Sequence, residues 1–202
     1  MARWASKNLP SYTTGSLAAA LSLYFMYAER ADLPILAASI FFLLICIVDT
    51  VCSRIPNTAN LLLLLVGFGY HLHSTGASGL LFATLGMLTG LSLLLLPYLM
   101  GGMGAGDVKA MAALGALLGP AAIFQVFLYT GIIGGLLALF HYALSHNLKE
   151  KCLEWSQAIK TFVYTKSLRS LKPAGPKEPL RFPYAAAIAF GFFAWLNWGG
   201  LL

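Results

Sequence analysis

Seven apolar runs, separated by short polar breaks, dominate the hydrophobic pattern of the chain. An α-helix rises about 1.5 Å per residue, so about 20 apolar residues cross a hydrocarbon core of about 30 Å. The pattern therefore predicts an all-α fold, a polytopic transmembrane helical bundle of about seven spans that forms one domain over residues 1–202. The runs cover residues 13–28, 33–51, 58–72, 79–100, 108–119, 121–144 and 183–198.

The fifth run, 108–119, is short for a span because its 12 residues reach only about 18 Å as a helix. The basic residues decide the count, since Lys and Arg collect in the cytoplasmic loops of membrane proteins. If all seven runs cross, every one of the 13 Lys and Arg residues except Arg30 falls on one side. Without the fifth crossing, the division is 4 against 9. We therefore predict seven crossings, with the N-terminus cytoplasmic and the C-terminus external.

The longest polar stretch, 145–182, holds most of the basic residues and is predicted to be a cytoplasmic loop. Apolar residues recur among its lysines at helical spacing, which predicts an interfacial amphipathic helix on an anionic inner leaflet. An ordinary solvated connector is the alternative. These apolar residues are Leu148, Cys152, Trp155, Ile159 and Phe162.

The first run, 13–28, follows Arg3 and Lys7. A basic region before a short apolar stretch is typical of a secretory signal, and it is also typical of a first span with its basic end inside. We predict an extra N-terminal span here. Removal of the segment as a signal would leave the orientation of the other runs unchanged.

Composition supports a membrane protein and excludes an ordinary soluble domain. Hydrophobic residues make up 59% of the chain and charged residues 10%, against roughly 25% charged in soluble domains. The net charge of +6 is explained by the cytoplasmic loops, so no nucleic-acid partner is predicted. The three cysteines are scattered without a CxxC pair, which predicts free thiols, no metal site and no cofactor.

Two of the seven acidic residues lie outside the polar loops. Asp49 ends the apolar run FFLLICIVD, and Asp107 follows the glycine-rich stretch GGMGAG, so each lies where a carboxylate is expensive to desolvate. The predicted topology puts both on the cytoplasmic side. Two carboxyls at one depth can share a proton, which is the state that an aspartic peptidase needs to activate water. Taken singly, Asp49 has the alternative of an interfacial pair with Arg54, and Asp107 that of a solvated loop acid.

The neighbours of Asp107 indicate how a peptide would bind. Gly104 and Gly106 lack side chains, so the backbone can turn tightly and approach an extended substrate. Lys109 is predicted to stabilise the ionised carboxylate or to anchor substrate, with a plain cytoplasmic marker as the alternative. His71 and His73, at the outer end of the third run, are predicted to be interfacial polar residues.

Three segments resemble motifs of the type IV prepilin peptidases. The segment 101–119, GGMGAGDVKAMAALGALLG, resembles the GxGD motif of that family, and 48–57, VDTVCSRIPN, resembles its first aspartate motif with an Ile-Pro-Asn turn. The segment 181–191, RFPYAAAIAFG, is similar to the proline-containing start of the last span. The resemblance implies that Asp49 and Asp107 are catalytic. Its other matching positions, which would support the site or bind substrate, are Gly104, Gly106, Lys109, Ile55, Pro56, Asn57, Pro183 and Tyr184.

Membership of that family implies a membrane aspartic endopeptidase that removes the basic leader from type IV prepilins or pseudopilins. Cleavage would take place at the cytoplasmic face of the bacterial inner membrane. Larger members carry a cytoplasmic four-cysteine domain and also methylate the new N-terminus, and this chain has no such cysteines. We therefore predict a peptidase without N-methyltransferase activity, similar to the short TadV/CpaA-like enzymes of Flp-type pili, with a six-span core plus the N-terminal span.

Three other interpretations remain open. A GxGD intramembrane protease of the presenilin or signal peptide peptidase kind typically has Tyr before the first Asp, where this chain has Val48. Its last motif is Pro-Ala-Leu, where this chain has Pro183, Tyr184 and Ala185. A small transporter with the two acids as an ion or proton relay predicts repeated halves, which the sequence lacks. The third is a non-catalytic assembly subunit. The sequence predicts no particular oligomeric state.

Overall fold

A computed structural model describes residues 2–52, 55–100, 103–144, 153, 156–157, 160–161 and 184–201, with backbone alone for 2–11 and 140–144. The ordered elements of these residues are all helices, which confirms the predicted all-α class. The helices are α1 (Ala2–Ala28), α2 (Leu33–Cys52), α3 (Asn57–Thr75), α4 (Ala77–Leu99), α5 (Ala105–Leu118), α6 (Pro120–Leu144) and α7 (Tyr184–Trp198).

The helices end where the sequence supplies breakers. Pro56 precedes α3 with extended backbone angles of φ −64° and ψ 130°, as expected of a residue that has no N–H to donate. Gly76 separates α3 from α4 with a φ of 65°, and Gly119 separates α5 from α6 with a φ of 84°. Both angles lie in the region that glycine adopts without steric cost. The chain can therefore reverse within one residue at each point.

Three of the described helices, α2, α4 and α6, are long and apolar enough to cross a membrane. The other helices are shorter or more polar, and α5 has 14 residues, which gives about 21 Å. A bundle of helices is thus established, with at least three that have the length and composition of a span. The seven membrane crossings and the orientation of the chain in the membrane stay predictions.

Helix α5 forms the centre of the bundle and packs mainly against α4 and α3. Every residue from Ala110 to Leu117 is buried, as expected of a helix that is apolar on all sides. Small residues allow this close packing. A Cβ on Gly86 of α4 would meet the carbonyl of Gly115 on α5, and one on Gly90 would lie 2.9 Å from the Met111 carbonyl carbon. The backbones of α4 and α5 therefore touch.

A second set of contacts joins α1, α2 and α7. The Phe25 ring of α1 stacks on Phe193 of α7 with centroids 4.7 Å apart, and Phe42 of α2 lies 5.4 Å from Phe192. These rings belong to the same apolar core as α5. Helices α2 and α7 are thereby held together, which brings the end of α2 to the start of α7.

Two sequence predictions fall outside the described residues. The predicted cytoplasmic loop 145–182, with its amphipathic helix, is described only at residues 153, 156–157 and 160–161, which are helical. Pro183 lies outside as well. The described part of α1 is a continuous helix from residue 2 onward, and the predicted extra span over 13–28 lies within it.

Candidate active site

Asp107 lies in the first turn of α5 and is 8% exposed. Its carboxylate accepts a hydrogen bond from the backbone N–H of Gly104, at 3.1 Å, and its own N–H donates to the Gly104 carbonyl at 3.2 Å. The carboxylate thus satisfies one of the N–H groups that a helix start leaves unpaired. Such burial excludes the alternative of a solvated loop acid.

The environment of Asp107 favours its protonated form. Burial raises the pKa of Asp107 to about 6, while the hydrogen bond from Gly104 lowers it and the charge of Asp49 raises it. The ionised carboxylate loses hydration on burial, and the single hydrogen bond from Gly104 stabilises it less than that loss destabilises it. Asp107 precedes the apolar run 108–119 and belongs to none of the three helices that qualify as spans.

Asp49 lies in the last turn of α2 and is half-buried. The backbone N–H of Ala185, near the start of α7, faces its carboxyl. The start of a helix favours a negative charge, because its first N–H groups are unpaired and the helix dipole is positive there. The partner that the sequence suggested, Arg54, lies outside the described residues.

The structure brings the two aspartates together. They lie at the same end of the bundle, because Ile55, three residues beyond the end of α2, packs against Gly106, the residue before Asp107. They come from different helices, with Asp49 at the end of α2 and Asp107 at the start of α5. The Asp107 carboxyl accepts a hydrogen bond from the N–H of Gly104 before α5, and the Asp49 carboxyl faces the N–H of Ala185 near the start of α7.

The Ile-Pro-Asn residues lie against the start of α5. A Cβ on Gly106 would lie 3.1 Å from the Cβ of Ile55, so glycine permits this contact. Asn57 accepts a hydrogen bond from the ammonium of Lys109, at 3.0 Å, and both side chains are exposed. The structure therefore directs Lys109 toward the Ile-Pro-Asn turn. Its two predicted roles, at the carboxylate of Asp107 and at substrate, stay predictions.

Gly104 and Tyr184 also lie at this end of the bundle. Gly104 is exposed and precedes α5, with a φ of −83° that any residue can adopt. Gly104 contributes to the site through its backbone N–H, which donates to Asp107, and not through an unusual backbone angle. Tyr184 begins α7, one residue before the Ala185 N–H that faces Asp49.

Sequence reasoning did not single out Asn60. It is 5% exposed on α3, and its Nδ2 donates to the Gly106 carbonyl at 3.3 Å. In the sequence, Asn60 is distinguished by its amide side chain at the edge of the apolar stretch NLLLLLV, one helical turn after Asn57. Helix packing was needed to identify its partner.

His71, which is predicted to be an interfacial polar residue, contacts the end of α5. It is half-buried, and its Nε2 lies 3.0 Å from the Leu117 carbonyl in the last turn of α5. The last carbonyls of a helix have no intrahelical partner, so this contact caps α5 from α3. Helix α3 therefore contacts α5 at both ends, near Gly106 and near Leu117.

The sequence model of the type IV leader peptidase family matches residues 36–139. The match spans about half of the chain, from α2 into α6, and includes both aspartates. The chain belongs to the type IV leader peptidase family. Neither a curated protein nor a solved structure matches it.

Membership confirms the resemblance that the motifs indicated and identifies the chain as a peptidase of prepilin-type precursors. Together with the three apolar helices, it makes this leader peptidase a membrane protein. The matched range ends before α7. The Ala185 N–H beside Asp49 and the contact of Phe42 with Phe192 link that last helix to the family region.

Proposed function

We propose that this leader peptidase is an aspartic endopeptidase in which Asp49 and Asp107 form the catalytic pair. The observation that carries the proposal is that both carboxyls lie at one end of the bundle, where Ile55 beyond the end of α2 packs against Gly106 at the start of α5. The charge of Asp49 contributes to the raised pKa of Asp107 there. Two interacting carboxyls titrate as a unit, so an intermediate pH range exists in which the pair holds one proton. That is the reactive state of an aspartic peptidase.

The reaction follows from this single shared proton. The ionised carboxylate takes a proton from water while the water oxygen attacks the carbonyl carbon of the scissile peptide bond. The protonated partner donates a hydrogen bond to the oxyanion that develops. Transfer of a proton to the leaving amine then breaks the carbon–nitrogen bond, and the pair returns to its one-proton state. No metal or cofactor takes part in these steps.

We further propose that the substrate is a prepilin or pseudopilin, whose basic leader is removed at the cytoplasmic face of the bacterial inner membrane. The charge distribution supports this side, because all but one of the 13 Lys and Arg residues would fall there with the aspartates if all seven runs cross. The exposed Gly104 leaves room for an extended chain beside Asp107. The three cysteines of this sequence are scattered and form no group of four, which supports cleavage without N-methylation, as in the short enzymes of Flp-type pili.

The proposal is tested by coexpression with prepilins of the same genome and detection of leader loss by gel mobility. We expect Asp49→Asn and Asp107→Asn each to abolish processing, because neither amide can exchange the shared proton. Asp32→Asn is the matched control, since Asp32 is exposed in the turn before α2. Full processing by either variant of the pair would refute the dyad, provided that the Asp32 variant matches wild type.

A further inference from the structure

Asn60 is a buried polar residue that fold stability alone does not favour. Its Nδ2 bonds the Gly106 carbonyl, whereas its Oδ1 has no hydrogen-bond partner among the described residues. A buried acceptor without a partner costs free energy, and an apolar side chain at this position would avoid that cost. Buried polar groups that are incompletely satisfied are expected mainly where function requires them.

The packing of α3 on α5 does not depend on this side chain. A Cβ on Gly67 would lie 2.9 Å from the Ala116 carbonyl carbon, so the two backbones touch near the middle of α3. His71 adds a hydrogen bond to Leu117 at the far end of α5. The Asn60 bond is therefore an additional contact, made at the end of α5 that carries Asp107.

The bond acts on the peptide unit next to Asp107. The carbonyl that Asn60 binds belongs to Gly106, and that carbonyl carbon is bonded to the nitrogen of Asp107. Ile55 packs against Gly106, so this peptide is held both by a hydrogen bond and by a van der Waals contact. Fixing this peptide plane fixes the Asp107 nitrogen and Cα from which the side chain extends, and the hydrogen bond from Gly104 then orients the carboxylate.

We propose that Asn60 is a positioning residue, whose hydrogen bond to the Gly106 carbonyl holds Asp107 in its reactive orientation toward Asp49. This inference rests on the proposed catalytic role of Asp107. Asn60 has no role in binding the leader. Its loss therefore slows the chemical step and leaves the affinity for the precursor unchanged.

The test compares Asn60→Leu with wild type in steady-state cleavage of a prepilin peptide by the purified, detergent-solubilised full chain. Loss of one hydrogen bond changes an equilibrium about fivefold, and a misplacement of about 1 Å costs up to about 100-fold in rate. We expect kcat to fall within that range while KM stays within about twofold. The thermal unfolding midpoint should stay at or above that of wild type, because the variant also removes the unpaired Oδ1.

Two further variants control for folding and for the substitution itself. Asn60→Ala adds no atoms and cannot clash, so it should show the same fall in kcat. Asn197→Leu makes the same chemical change at an exposed position 12 residues beyond Ala185 on α7, about 18 Å along the helix, and should leave kcat unchanged. An unchanged kcat in the Leu variant would overturn the inference. So would a rise in KM without a fall in kcat, or marked loss of thermal stability in both Asn60 variants.

The failure of the inference and that of the proposed function are distinguishable. If wild type cleaves a prepilin, Asp107→Asn does not, and Asn60→Leu cleaves like wild type, only the inference is wrong. If wild type and Asp107→Asn cleave equally well, the catalytic pair is wrong and the inference is overturned with it.

Discussion

The close approach of α4 and α5 predicts that Gly86→Ala weakens both the fold and the reaction. The new Cβ would lie 2.8 Å from the Gly119 Cα and 2.9 Å from the Gly115 carbonyl carbon. Carbon atoms normally pack at about 3.5–4.0 Å. These neighbours are backbone atoms and cannot rotate away. The helices must therefore separate by roughly 0.6 Å or more, if the two atoms are to reach ordinary contact.

Two opposing effects determine how much Gly86→Ala changes the free energy of unfolding. Overpacking a tight core costs about 1–3 kcal/mol, and a backbone clash belongs at the upper end of that range. Alanine returns up to about 1 kcal/mol through its higher helix propensity. The free energy of unfolding should thus fall by about 2 kcal/mol. Because α5 carries Asp107, a helix shift approaching 1 Å should also lower the cleavage rate by as much as about 100-fold.

Thermal unfolding in detergent and prepilin cleavage measure the two effects. Gly69→Ala is the matched control, because a Cβ on Gly69 of α3 would meet nothing within 4 Å. That control should be as stable as wild type or slightly more stable, with unchanged cleavage. If Gly86→Ala and Gly69→Ala have the same unfolding midpoint and the same cleavage rate, α4 and α5 do not pack as closely as described, and the reasoning is refuted.

Two further predictions concern charged residues of the site. The pKa of Asp107 is raised from 3.8 to about 6 in the folded protein. Its contribution to the free energy of unfolding is therefore fully present below about pH 4 and is lost as the pH rises through about 6. Asp107→Asn should therefore be more stable than wild type at pH 8, by an amount on the order of 3 kcal/mol, and by much less at pH 4. Equal midpoints at pH 8 would contradict the raised pKa. Lys109→Gln should retain cleavage within about threefold, because an amide can still donate to Asn57 and exposed polar contacts contribute little. A loss of tenfold or more would instead indicate that the ammonium contacts substrate.

The sequence predicted the helices well because their signal is local. Long apolar runs and the breakers Pro56, Gly76 and Gly119 determine where helices begin and end, and neither depends on distant contacts. The pairing of Asp49 with Asp107 stays a prediction. The order of the runs and the distribution of basic residues predict one depth for both, and the structure has both at the same end of the bundle.

The contacts between helices could not be predicted in the same way. The hydrogen bond from Asn60 to Gly106 and the contact of His71 with Leu117 each join residues 46 positions apart. Both depend on how α3 rotates against α5, which close contacts at positions such as Gly67 determine. A hydropathy pattern gives the depth of a residue in the membrane and does not give the side of the helix that meets a neighbour.

The contact between Asp49 and α7 gives a physical reason for the Pro-Tyr-Ala sequence that resembled the start of the last span. An Asp at the C-terminal end of a helix is unfavourable, because the helix dipole is negative there. Asp49 has that position in α2, and the Ala185 N–H compensates for it. Helix α7 therefore contributes to the candidate site together with the two aspartate motifs, although it lies outside the region that the family model matches.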